Sequence, residues 1–102
     1  MTAEQKATWI EALRSGKYKQ GHDYLKQATA EGIEYCCLGV AREVLGVPAA
    51  MEVGAESESE TFLDGKFLSK SKQRILVVQN DVAGVTFADI ADYIETFVPP
   101  TE

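Results

Sequence analysis

Ten residues near the middle of the chain, Cys36-Cys-Leu-Gly-Val-Ala-Arg-Glu-Val-Leu45, limit the fold more than any other stretch. At helical spacing Cys37, Val40, Ala41 and Val44 make one apolar stripe, and Leu38 and Leu45 extend it around the cylinder. Only Arg42 and Glu43 look solvated. A helix that is apolar on most sides belongs inside a fold, wrapped by other elements, and not on its edge. Gly39 costs this helix about 1 kcal/mol of propensity relative to alanine, so the close approach of another backbone is expected there. Gly46 followed by Pro48 stops the helix.

Other elements are signalled with varying clarity. Thr2 and Gln5 have capping-box spacing, and Ala3, Ala7, Ile10 and Leu13 repeat behind them with Trp9 beside the stripe. The spacing predicts a first helix over residues 3–15, closed by Ser15-Gly16. Residues 17–20 and 24–27 read either as short strands around Gly21 or as an ordered loop, with Gly32 punctuating before Ile33-Glu34-Tyr35. Residues 49–61 hold the acidic run Glu56-Ser-Glu-Ser-Glu60 and read as a mobile loop. Thr61 to Leu68 is nearly symmetric about Asp64-Gly65, the signal of a two-residue hairpin with a type I′ turn. Between Ser69 and Asp81 a helix capped by Ser69 or Ser71 and carrying Ile75, Leu76 and Val78 competes with a buried strand over Ile-Leu-Val-Val; the helix is preferred. The last helix is capped by Thr86, with Asp89 in its first turn and Val85 and Ile90 at staple spacing. Phe87, Ile90, Ala91, Ile94 and Phe97 form its stripe, and Pro99-Pro100 ends it. The expected fold is α+β: a small single domain over residues 1–102, of three to four helices with a short β-hairpin or small antiparallel sheet.

Charge excludes some partners. The net charge is −6, and all of it lies in the second half: residues 1–51 carry six basic and six acidic groups, and residues 52–102 carry four and ten. Long-range repulsion of phosphate argues against general nucleic-acid binding. The four cations Lys66, Lys70, Lys72 and Arg74 form one block, read as a solvated face. No apolar run approaches the length of a membrane span, and the N-terminus lacks the basic start and apolar stretch of a signal peptide, so a cytoplasmic location is expected.

Three groups of residues invite a chemical reading. Cys36 at a helix start, with His22 as base, has the outline of a thiol nucleophile, because the helix dipole favours thiolate. The competing and preferred reading makes both cysteines core atoms: adjacent thiols rarely bridge, buried ones pack as small hydrophobes, and nothing is obviously placed to orient His22. Two cysteines and one histidine fall short of zinc's four ligands, so no metal is expected, and no cofactor motif occurs. Tyr18, Lys17, Lys19 and Tyr24 would suit a small anionic ligand. Asn80-Asp81 reads as a capping and turning pair before a metal or hydroxyl ligand.

Three segments also carry a resemblance. Trp9-Ile-Glu-Ala-Leu-Arg-Ser-Gly-Lys-Tyr-Lys-Gln20, Tyr35-Cys-Cys-Leu-Gly-Val40, and Asn80-Asp81 followed by Thr86-Phe-Ala-Asp-Ile-Ala-Asp-Tyr-Ile-Glu95 resemble, in order and spacing, a family of short uncharacterised proteins of tailed bacteriophages and prophages. The likeness covers about the first 45 and the last 25 residues. Members often carry a further cysteine shortly after the Cys-Cys-Leu-Gly-Val block, where this chain has Ala41 and Arg42, which weakens any metal or redox role. His22 does not belong to the pattern. The resemblance implies a phage gene product in the host cytoplasm and carries no activity. The function expected is therefore a non-enzymatic binding module acting on a host protein or a small molecule, in counter-defence among other settings. The alternative is a small thiol-dependent hydrolase or transferase using Cys36.

Overall fold

The computed structural model describes residues 1–47 and 63–100, and within them the apolar central segment is indeed a wrapped helix. Among the described residues four helices, α1 (Ala3–Arg14), α2 (Cys37–Leu45), α3 (Lys70–Asp81) and α4 (Phe87–Phe97), and three short strands, β1 (Lys19–Gln20), β2 (Lys26–Thr29) and β3 (Gly32–Tyr35), make a single α+β domain. Every residue of α2 from Cys37 to Ala41 is buried, and Cys36 is its N-cap. Gly39 sits under the start of β2: a Cβ there would lie 1.7 Å from the Leu25 carbonyl oxygen. The backbone approach expected from sequence is present.

Local rules set the helix ends. The Thr2 hydroxyl accepts from the Gln5 N–H at 3.0 Å and the Gln5 side chain accepts from the Thr2 N–H at 2.9 Å, which closes the capping box. Ser69 and Thr86 cap α3 and α4 by accepting from Lys72 and Asp89. Gly16 and Gly46, at φ 77° and 67°, turn the chain out of α1 and α2.

The sheet is mixed, in the order β1-β3-β2. β2 and β3 form the hairpin, antiparallel through Lys26↔Tyr35 to Thr29↔Gly32, and β1 runs parallel to β3. The strands on either side of Gly21 thus pair with Gly32–Tyr35 and not with each other. The Thr29 hydroxyl secures the turn, accepting from the Glu31 N–H and donating to the Gly32 carbonyl.

Four expectations need correction. Asp64-Gly65 does not nucleate a hairpin. Asp64 accepts from the Phe67 N–H through its carbonyl and from the Lys66 N–H through Oδ1, while Gly65 stays out of the positive-φ region that a type I′ turn requires. Consecutive burial of Phe67 and Leu68 also breaks strand alternation, and Thr61 and Phe62 lie outside the described residues, as does the whole acidic run read as a mobile loop. On α1 the buried face runs through Trp9, Ile10 and Leu13, rotated towards the tryptophan, and Ala3 and Ala7 are exposed. On α4 Phe97 is 62% exposed and Val98 takes the buried place, because at about 100° per residue Val98 falls nearer the centre of the Ile90–Ala91–Ile94 stripe. Phe97 packs instead on Tyr93, one turn back, at 5.0 Å between ring centroids. The fourth correction concerns α3, where Ile75 and Val78 face outward.

α1 packs on α2 and α4, and its Trp9 is fully buried; the indole N–H donates to the Cys37 carbonyl at 3.0 Å, and the ring meets Phe67 at 5.7 Å. Each fully buried aliphatic or aromatic side chain in this core contributes about 1.5–3 kcal/mol. One of two wholly buried polar side chains on α3 is Gln73, which accepts from the Leu63 N–H and donates to the Leu63 and Leu68 carbonyls. These bonds pin the segment entering α3.

Candidate binding surface

Both thiols are core atoms by geometry. Cys36 and Cys37 are 0% exposed and unbridged. The Cys36 sulfur accepts from the Gly39 N–H at 3.3 Å, the bond of an N-cap, and the Cys37 thiol donates to the Leu76 carbonyl at 3.7 Å. Cys36 is thus at a helix N-terminus as expected from sequence, but its sulfur is spent on the cap.

His22 is not brought to that thiol. Its exposed ring lies against the last turn of α3, with Nδ1 2.8 Å from the Asn80 carbonyl and 3.9 Å from Asp81 Oδ1. The orienting groups that the sequence did not reveal are therefore Asn80 and Asp81. Both belong to α3 itself, not to a turn between helices. Asn80 is fully buried: its amide donates to the Gly21 carbonyl and to Asp81 Oδ1, and its oxygen accepts from Gln20. Gln20 also donates to the Val85 carbonyl and accepts from the Phe87 N–H, so one side chain ties β1 to the α3–α4 corner. Asp81 Oδ1 accepts again from the Asp23 N–H, whose residue is held at φ 71°. The network is a clamp between β1 and two helices. Among the described residues no group of three His, Cys, Asp or Glu side chains could hold a metal ion.

The four residues read as an anion site do not converge. Lys19 pairs with Glu31 at 2.8 Å and Glu34 at 3.5 Å; the hydrogen bond it donates to Glu31 raises the lysine above its ordinary value and lowers the Glu31 carboxyl. Tyr18 is half-buried, edge-on to Tyr35 at 5.4 Å. Lys17 and Tyr18 share a recess with Val44, and neither Lys19 nor Tyr24 reaches it. Lys17 also borders an open groove along α1 with Lys6, Ile10, Arg14 and Glu95, where Arg14 pairs with Asp92 at 2.6 Å and Glu95 at 3.3 Å.

The surface that stands out is α3. It is inside-out: its buried positions are Gln73, Leu76 and Asn80, while Ile75, Val78 and Val82 are 45%, 47% and 79% exposed. Those three recur at i, i+3 and i+7 and so form one outward stripe. Arg74 flanks it one turn before Val78, and Lys72 lies on the other side, one turn before Ile75. The sequence held a sign of this, because Gln73, Leu76 and Asn80 have the same spacing and only one of the two stripes can face the core.

Residues 1–47 are similar to a family model described as a domain of unknown function (DUF8296). The match takes in α1, the sheet and α2, and stops before α3. No curated protein and no solved structure matches the chain. Among the described residues no helix is long and apolar enough to cross a membrane.

Proposed function

We propose that this domain is a non-enzymatic binding module, a phage-type accessory protein that docks on a host protein in the host cytoplasm. One observation carries the reading: the outward aliphatic stripe Ile75–Val78–Val82 on α3, beside basic side chains. The hydrogen bonds of Gln73 and Asn80 set which face of α3 is buried, but they do not account for three aliphatic side chains on the opposite face, where polar residues would serve solubility. The phage setting rests on the sequence resemblance.

Capture from host lysate tests it. The wild-type chain is expected to retain a saturable protein partner that an Ile75→Asp/Val78→Asp chain loses. Equal capture by both, or none by either across several hosts, sinks the proposal.

The thiol-dependent alternative has one feature in its favour, Cys36 at the N-cap of α2, where the dipole favours thiolate. Burial of that sulfur counts against it. A fast-reacting thiol in the native protein, slowed by His22→Ala, would revive it.

A further inference from the structure

We infer that the outer face of α3 takes an acidic amphipathic helix of the partner protein. The inference rests on the binding-module reading above and names the chemistry of the occupant. Its first support is shape. The stripe of Ile75, Val78 and Val82 runs about 10 Å along the helix at 1.5 Å per residue, a length that another helix covers ridge into groove.

The second support is charge. Lys70, Lys72 and Arg74 line the first half of α3, and among the described residues none of them makes an ion pair, whereas Arg14, Lys19 and Lys26 each meet a carboxylate. In a chain of net charge −6, this is a local inversion of sign. It also opposes the helix itself. The first turn of α3 holds no acidic residue, and Asp81 sits in its last turn, the reverse of what the dipole favours. Carboxylates supplied from outside, opposite Lys70 and Arg74, would relieve that conflict.

The chain's own acidic helix is a poorer occupant. On α4, Asp92 and Glu95 are already engaged by Arg14, and Lys6 donates to the Glu95 carbonyl. A nucleic acid fits less well, since an aliphatic stripe has nothing to stack on a base.

The test uses fluorescence anisotropy with the full chain and a labelled helical peptide of about five turns, leucine on one face and Glu/Asp on its flanks. A counterpart peptide has Lys at every acidic position. The acidic peptide is expected to bind, more weakly as salt rises. Lys70→Glu/Arg74→Glu should weaken it at least about tenfold, and Ile75→Ser/Val78→Ser similarly. Thermal melts guard against misfolding, because replacing Lys70 by glutamate improves the dipole match and should hold or raise the melting temperature. Equal binding of the two peptides, or no binding, overturns the inference. So does preferential capture by phosphatidylglycerol vesicles. Concentration-dependent dimerisation abolished by Ile75→Ser/Val78→Ser would make a second copy the occupant. Tighter peptide binding on changing Glu56, Glu58 and Glu60 to Gln would make it the chain's own acidic run. A lysate partner that is lost on α3 substitution but cross-links through a non-acidic segment would sink this inference and leave the binding-module reading intact.

Discussion

Replacing Gly39 by alanine gives opposite results depending on whether the backbone packing around α2 is as described. In an exposed helix, Gly→Ala stabilises by about 1 kcal/mol through propensity alone. Gly39 has helical, not left-handed, dihedrals, so alanine meets no strain of its own there. The obstacle is the Leu25 backbone: the new Cβ would stand 1.7 Å from its carbonyl oxygen, 2.6 Å from its carbonyl carbon and 3.1 Å from its Cα. Ordinary carbon–oxygen contacts begin near 3.3 Å, so α2 and the start of β2 must part by roughly 1.5 Å. The obstructing atoms are main chain, with no rotamer to yield. Overpacking of this kind costs about 1–3 kcal/mol, and its upper end applies where main chain must move, so after the propensity gain of about 1 kcal/mol the net loss is about 2 kcal/mol. For a domain of this size that lowers the melting temperature by roughly 8–16 °C. The assay is a thermal melt followed by circular dichroism, with Gly65→Ala as the control. Gly65 has open space around it and no positive φ, so alanine there should leave the melt unchanged or raise it slightly. A Gly39→Ala protein melting at or above wild type would refute the packing of α2 under Leu25.

Asn80→Ala leaves the Gly21 carbonyl and the Gln20 amide without their buried partner, and should cost about 2–3 kcal/mol by urea denaturation. Cys36→Ser keeps an N-cap acceptor for the Gly39 N–H, so it should be milder than Cys36→Ala, which loses the cap at about 1 kcal/mol; their denaturation midpoints rank the two. Iodoacetamide should label neither thiol in the native protein and both after unfolding, as mass spectrometry reads directly. The lowered carboxyl of Glu31 contributes stability that is present above the ordinary glutamate range and is lost as pH falls through its folded value. Lys19→Ala should return that carboxyl towards its ordinary range in an NMR titration, and an unchanged Glu31 titration would remove Lys19 as the cause.

What could be read from sequence was what local physics decides. Thr2 with Gln5, Ser69, and Thr86 with Asp89 lie within a turn of the groups they cap, and Gly39 betrays its crowding because a helix keeps glycine only at a cost. What escaped was decided at a distance. Two-residue β1 has no pattern of its own and exists because Lys19 and Gln20 pair with Glu34 and Tyr35. Gln73 and Asn80 look like solvent-facing positions until Leu63, Leu68, Gly21 and Gln20 arrive to satisfy them. The same two residues explain why α3 was turned the wrong way: with partners supplied, a buried amide no longer carries its desolvation cost, and hydrophobicity alone stops deciding the face. At the candidate site, the basic block was visible, but its juxtaposition with an outward stripe was not. The separation of His22 from Cys36 depends on Asn80, far away in the chain.

Energetics then limit what the α3 face can bind. Ile75, Val78 and Val82 together expose less than two full aliphatic side chains' worth of surface, which is about 3–5 kcal/mol if a partner covers all of it. Association costs at least about 4 kcal/mol of lost freedom, so the stripe by itself holds nothing. The cations must supply part of the remainder, since they are the charged groups that line that face, beside the neutral Ser71 and Gln79. The interaction therefore has to be salt-sensitive, and weakening Lys70 and Arg74 has to matter as much as removing the aliphatic side chains. A partner that binds α3 with no dependence on salt would require apolar contacts beyond this face, and the inferred acidic helix would then be the wrong occupant. Because α3 lies outside the stretch matched by the family model, this surface also has to be tested on this chain itself.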